Sequence, residues 1–239
     1  MAIRQALELP LVEAIAESTE SAETLGKLAA AHRRRHLAVD THQTIRHWVP
    51  DAGTWCYQTH IAISGQTRDR LYWLAETLYN ASTLDSQPWY PQFLGGESQP
   101  TIKPVPPGIH QHQLALGRFD LGVGKPRYYR QLLSMAWPDD DTAILVARSV
   151  DTGPALGDEL PLAYTLAPNG EVLYWADERL HWHHICCTPG ARVLPGIADR
   201  WLINALRLMR LDGAEKRTYR DEALGMRNWL RRDGGPAAR

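Results

Sequence analysis

Phenylalanine is almost missing from this chain: two residues in 239, beside nine tryptophans and nine tyrosines. Aromatic burial therefore falls to rings that carry a polar handle, which suits pocket walls as well as cores. Long apolar runs are missing too. No stretch of 18 apolar residues occurs, so no transmembrane helix is expected. The opening "MAIRQALELPLVEAIAESTE" is interrupted by Glu8 and Glu13, so no signal peptide is expected. Cysteine is scarce, with three residues of which two are adjacent. That excludes a disulfide framework and suits a reducing, cytoplasmic setting. Neither sign of charge dominates. A net charge of -1 gives no overall pull toward nucleic acid.

Several chemical signatures are absent as well. "GVGKPR" (122–127) has phosphate-loop glycines but completes neither GxxxxGK[ST] nor GxGxxG. No GxSxG occurs, so a hydrolase elbow is unsupported. No cofactor is expected. What remains is 44% apolar and 22% charged residues, an ordinary globular balance, in a length that suits one sizeable domain.

Residues 5–48 read as helical, with Leu9, Val12, Ile15 and Ala16, then Leu25, Leu28 and Ala29, at helical spacing. "STES" (18–21) divides this region into two helices. "HRRRH" (32–36) reads as a solvated basic face, with docking to anionic lipid as the other reading. "TWCYQTHIAI" (54–63) alternates and is rich in aromatic and β-branched residues, which predicts a strand. "TRDRLYWLAETLYNAS" (67–82) predicts an amphipathic helix with Leu71, Leu74, Ala75 and Leu78 on one side. The Pro- and Gly-dense 86–108 reads as a long irregular connection.

Strand signals then follow closely, at 112–123, 127–137, 142–150, 160–167, 171–176 and 179–187. "PNG" (168–170) reads as a tight turn. No helix-length insert separates these strands, so an antiparallel meander is expected rather than a parallel sheet. A helix over about 196–230 closes the chain, with Trp201, Leu202, Ala205, Leu208 and Met209 as its apolar stripe and "DG" (212–213) as a kink point.

The densest chemistry lies in "RLHWHHICC" (179–187). On a strand, His181, His183, Ile185 and Cys187 share one face, and Trp182, His184 and Cys186 the other. The i, i+2 pairs, His181 with His183 on one face and His184 with Cys186 on the other, supply two metal donors each. The rest would have to come from His110, His112, Asp177 or Cys56, so no metal site is expected. Residues two apart on a strand do not make a touching Cys–His pair either. The segment reads instead as a strand whose His181 and His183 are polar handles in an apolar interior. Arg148, inside "ILVARSV", is at the sheet edge, paired with a carboxylate, or aimed at a ligand.

Taken in order, several pieces resemble the START domain, the StAR-related lipid-transfer family of the helix-grip superfamily. They are "YNASTLDSQPWYPQF" (79–93), "GKPRYYRQLL" (124–133), "DDTAILVARSVD" (140–151), "LPLAYTLAPNGEVLYW" (160–175) and "ICCTPGARVLPGIADRWLINALR" (185–207). The last carries the Trp201-Leu202-Ile203-Asn204 opening of the closing helix. Tyr128 stands where the family has an Asp after its Arg.

The resemblance implies an α+β helix-grip fold: a curved antiparallel sheet wrapped around a long C-terminal helix, with N-terminal helices. It divides the chain into a helical segment (1–50), the START-like domain (51–232) and a tail (233–239), one compact domain overall. It also implies a cavity, closed by the C-terminal helix and a neighbouring loop, that holds one lipid-like, terpenoid or polyketide-like molecule, with that helix or the Pro-rich loop as its gate. Arg148, Tyr164, Tyr174, His181, His183, Trp201, Ala205 and Met209 are the expected cavity or gate residues. The alternative is a cyclase or isomerase on a polycyclic or polyketide-like substrate, with His181 and His183 as acid and base. The partners expected are the hydrophobic ligand and, transiently, a membrane surface. The oligomeric state stays open.

Overall fold

Alternating apolar residues dictate the architecture. Strands with two apolar sets need a layer on each face, and two sets of helices supply them. The computed structural model describes residues 17–33, 41–49, 54–84, 87–99, 107–119, 127–149, 160–161, 166–187 and 211–232. Its elements are α1 (Ser18–Arg33), β1 (His42–Val49), β2 (Thr54–Ile63), α2 (Asp69–Tyr79), a 3-10 turn (Ala81–Thr83), β3 (Phe93–Gln99), β4 (Gln111–Phe119), β5 (Arg127–Asp139), β6 (Thr142–Ser149), β7 (Leu160–Pro161), β8 (Leu166–Ala176), β9 (Arg179–Cys187) and α3 (Leu211–Arg232).

Eight strands form one open antiparallel sheet in the order β1-β2-β9-β8-β6-β5-β4-β3. The two-residue β7 pairs β5 in parallel, off that path. The pairing of β2 with β9 brings the early and late parts of the chain side by side.

Each face has its own core. Helix α1 lies over β6 and β8. It buries Ala22, Leu25 and Ala29 against Ile144, Val146 and Val172. The opposite face carries α2 and α3. There Leu71 and Leu74 of α2 and Ala223, Met226 and Leu230 of α3 meet Leu145, Leu173 and Trp182. Burying side chains of this size stabilises by about 1.5–3 kcal/mol each. The α2 stripe falls where its spacing placed it: Leu71, Leu74, Ala75 and Leu78 are all buried.

Helix α3 comes close to the backbone after α2. A Cβ on Gly225 would stand 2.8 Å from the Trp89 carbonyl oxygen. The Trp229 ring meets Trp89 at 4.6 Å and Trp73 at 5.1 Å.

Three expectations from sequence are corrected. The span expected to be helical to residue 48 contains β1, which pairs with β2 along its whole length. Thr44, Ile45, Trp48 and Val49 suit an extended strand, and a neighbouring edge decides the matter. "PNG" is no turn, because β8 runs through it. Its pairing with β9 shifts register between Leu166 and Gly170, and Gly170 has φ +155°. A Cβ there would sit 1.9 Å from the Leu145 carbonyl oxygen, so only glycine lets β6 approach. The turn falls at Asp177 and Glu178, whose φ values of 51° and 57° suit a tight hairpin. Finally, the Pro-rich connection contributes β3 as an edge strand, with a register shift between Phe93 and Gly96.

Candidate functional site

Register settles which side chains share a face. Of the eight residues expected at the site, Tyr164, Trp201, Ala205 and Met209 lie outside the described residues. Arg148, Tyr174, His181 and His183 come together on one face. It is the face under α1, opposite the one that carries α3.

There the imidazoles stack. His60 lies 3.8 Å from His183, and Tyr174 lies 4.4 Å from His181, ring centre to ring centre. Donor and acceptor roles follow from the fixed partners. The Ala176 carbonyl only accepts, so His181 Nε2–H donates to it at 3.2 Å. His181 Nδ1 then accepts from His60 Nε2–H at 3.1 Å. The Gln58 amide nitrogen only donates, to His183 Nδ1 at 3.2 Å and to the Leu28 carbonyl of α1 at 3.3 Å. His183 Nε2–H then donates to the Tyr174 hydroxyl at 3.3 Å. Both ring nitrogens of His181 and of His183 are thereby engaged. Arg148 takes the second of its three readings: it pairs with the Glu17 carboxylate and donates to Ser21 Oγ at 3.2 Å. Gln58 and Arg148 thereby tie the sheet to α1.

The opposite face holds a different polar centre, built from β8, β9 and α3. Glu171 and His184 are cross-strand partners. His184 Nδ1 lies 2.9 Å from a carboxylate oxygen of Glu222 on α3. Trp182 donates its indole N–H to Glu171 at 2.5 Å. Tyr219, one turn before Glu222, meets His184 edge-on at 5.8 Å and stacks on Tyr57 at 5.1 Å.

Two ionisations are displaced here. Burial pushes Glu171 up to about 7, against the lowering by His184 and the indole hydrogen bond. Burial would lower His184, but the charge and hydrogen bond of Glu222, joined by the charge of Glu171, outweigh it and push it up to about 10. His184 is therefore an imidazolium at neutral pH, held between two carboxyl groups.

The centre is not sealed. The side chain of His184 keeps 20% of its surface accessible and that of Glu222 keeps 8%, whereas Trp182 and Leu173 beside them keep none. Among the described residues, His184 Nε2, the second oxygen of Glu171 and the second oxygen of Glu222 have no hydrogen-bond partner. A donor and two acceptors thus stand open between the sheet and the C-terminal helix.

Sequence reasoning placed His184 on the correct face and passed over it. It also missed Glu171, Trp182 and Glu222. One signal was readable: Glu171 opens the otherwise apolar "EVLYWA", where a carboxylate facing a core needs a partner. Among the described residues, no three His, Cys, Asp or Glu side chains are placed to hold a metal ion. No helix among them is long and apolar enough to cross a membrane.

By sequence the chain matches no family model and no curated protein. By structure it is similar to human StAR-related lipid transfer protein 5, with a TM-score of 0.58 and 10% identity over 90% of this chain and 97% of that one. It is similar to a STAR-related lipid transfer protein fragment from Xanthomonas axonopodis, with a TM-score of 0.55 and 12% identity over 82% of this chain and 97% of that one. Human STARD10 follows, with a TM-score of 0.52 and 12% identity over 88% of this chain and 82% of that one.

Proposed function

We propose that this chain, which has the α+β helix-grip fold of StAR-related lipid transfer domains, binds one hydrophobic small molecule between its sheet and its C-terminal helix. The observation that carries the reading is the polar centre Glu171–His184–Glu222 beside the apolar cluster of Leu145, Leu173, Trp182 and Met226. A few unpartnered polar atoms in an apolar setting are what orients such a ligand. Affinity would come from buried apolar surface, at about 25 cal/mol per Å². Trp201, Ala205 and Met209, on the segment leading into α3, and Tyr164 belong to the proposed lining. Helix α3, tied to β9 by Glu222 and His184, is the proposed gate.

A catalytic reading on the same fold would fall to His184 and Glu171. His184 has Nδ1 held by a carboxylate and Nε2 open, while His181 and His183 have both nitrogens engaged. Extraction of protein purified from its own host, followed by mass spectrometry, tests the binding reading. A hydrophobic species near one equivalent supports it, and none above a blank overturns it. Conversion of that species on incubation, lost in Glu171→Gln and His184→Gln, would favour catalysis.

A further inference from the structure

We propose that Cys56 and Cys187 form a reversible disulfide that clasps β2 to β9. The proposal stands apart from the hydrophobic-ligand reading and does not depend on it.

The two cysteines are far apart in sequence, and the sheet sets them directly opposite each other. Strands β2 and β9 pair antiparallel, in one register, from Cys56↔Cys187 to Ile63↔Leu180. Opposite residues of such a pair have Cα atoms about 4.5–5.5 Å apart. A disulfide joins Cα atoms about 4.4–6.8 Å apart, so the paired backbone already meets its reach. Pairs an even number of steps along the ladder are of one kind and on one face. His60 and His183 are such a pair, and their rings stack at 3.8 Å. The two strands are therefore closely and regularly paired on this face.

Cys186 is not placed for the same bond. Its register partner is Tyr57, and alternation puts it on the other face, with His184. It is a free thiol. A bond between the adjacent Cys186 and Cys187 would be strained. The chain has no fourth cysteine, so Cys56 and Cys187 are the intramolecular pair that the register favours.

One such bond is not a structural framework. In a reducing compartment it is transient and follows the thiol–disulfide balance. The oxidant is a small-molecule disulfide of the glutathione class. One cysteine thiolate attacks it, a mixed disulfide forms, and the first glutathione leaves. The second cysteine thiolate attacks the protein sulfur of that mixed disulfide and releases the second glutathione. Two protein thiols are oxidised, and one small disulfide is reduced to two thiols, which carry the two protons. Cys187 ends β9, so the clasp fixes the sheet where the chain leaves it toward α3.

The test incubates the full chain with oxidised glutathione and maps the products by digestion and mass spectrometry. The expected product is a cross-link whose fragmentation places it between Cys56 and Cys187. Cys186→Ser, which leaves only the pair, is expected to go from two free thiols to none without gaining the mass of glutathione. The bond closes a long loop, so the oxidised variant should melt at least about 5 °C above its reduced form. A cross-link at Cys186 in the unaltered protein overturns the proposal. Retained thiols or stable glutathione adducts in Cys186→Ser overturn it as well. So does an oxidised form that melts below the reduced one, because a bond that fits the paired backbone does not strain it.

Discussion

His184 Nδ1 and a carboxylate oxygen of Glu222 lie 2.9 Å apart, and this contact ties the last strand of the sheet to the C-terminal helix. Residues 188–210, which join the two elements in sequence, lie outside the described residues, so the tie is a tertiary one. Removing either partner leaves the other charge enclosed without its counterpart. Glu222→Ala is expected to cost about 3 kcal/mol, and Glu222→Gln less. Denaturant unfolding of both single variants and the double variant with His184→Gln measures the coupling. Additive effects would show that the contact carries no energy.

The same pair and Glu171 predict how stability follows pH. Glu171 rises from 4.5 to about 7 on folding, and His184 rises from 6.5 to about 10. Both bind protons more tightly in the folded chain, so both lose their favourable contribution as pH rises. Glu171 acts between about 4.5 and 7, and His184 between about 6.5 and 10. The difference in unfolding free energy between the unaltered protein and Glu171→Gln should fall across the lower window. The difference from His184→Gln should fall across the upper one. Flat difference profiles would contradict the assignment.

Two helical glycines are expected to behave in opposite ways. Alanine gains about 1 kcal/mol over glycine in a helix interior. At Gly26 the added Cβ meets only the tip of Ile144, at 3.3 Å, so Gly26→Ala should be neutral or stabilising. At Gly225 it meets the Trp89 backbone at 2.8 Å, which cannot move aside cheaply. Gly225→Ala should lower stability by about 1–3 kcal/mol by separating α3 from this segment. Thermal unfolding of the two variants decides it, and a stabilised Gly225→Ala would contradict the packing.

His183 joins Gln58 and Tyr174 in a fully buried chain of bonds that reaches the Leu28 carbonyl of α1. His183→Ala should cost about 2–4 kcal/mol through lost volume and unpaired polar groups. Hydrogen exchange should rise first in α1. Exchange that rises evenly over the molecule would mean the network does not act on that helix.

Local pattern was enough for much of this. The α2 stripe, the succession of strands and the alternation along β9 follow from side-chain periodicity, which neighbours do not alter. Sequence read "PNG" as a turn because it weighed only local propensity. In the sheet, pairing with β9 and contact with β6 hold those residues extended. Alternation along β9 correctly separated His181 and His183 from Trp182 and His184, but a period of two has no sign. It says that two faces differ and does not say which helix each will meet. That was decided when α1 covered one face and α3 the other, a choice made by contacts far apart in the chain. The same docking brought Glu222 to His184 and Glu171, three groups from three elements that no local window contains.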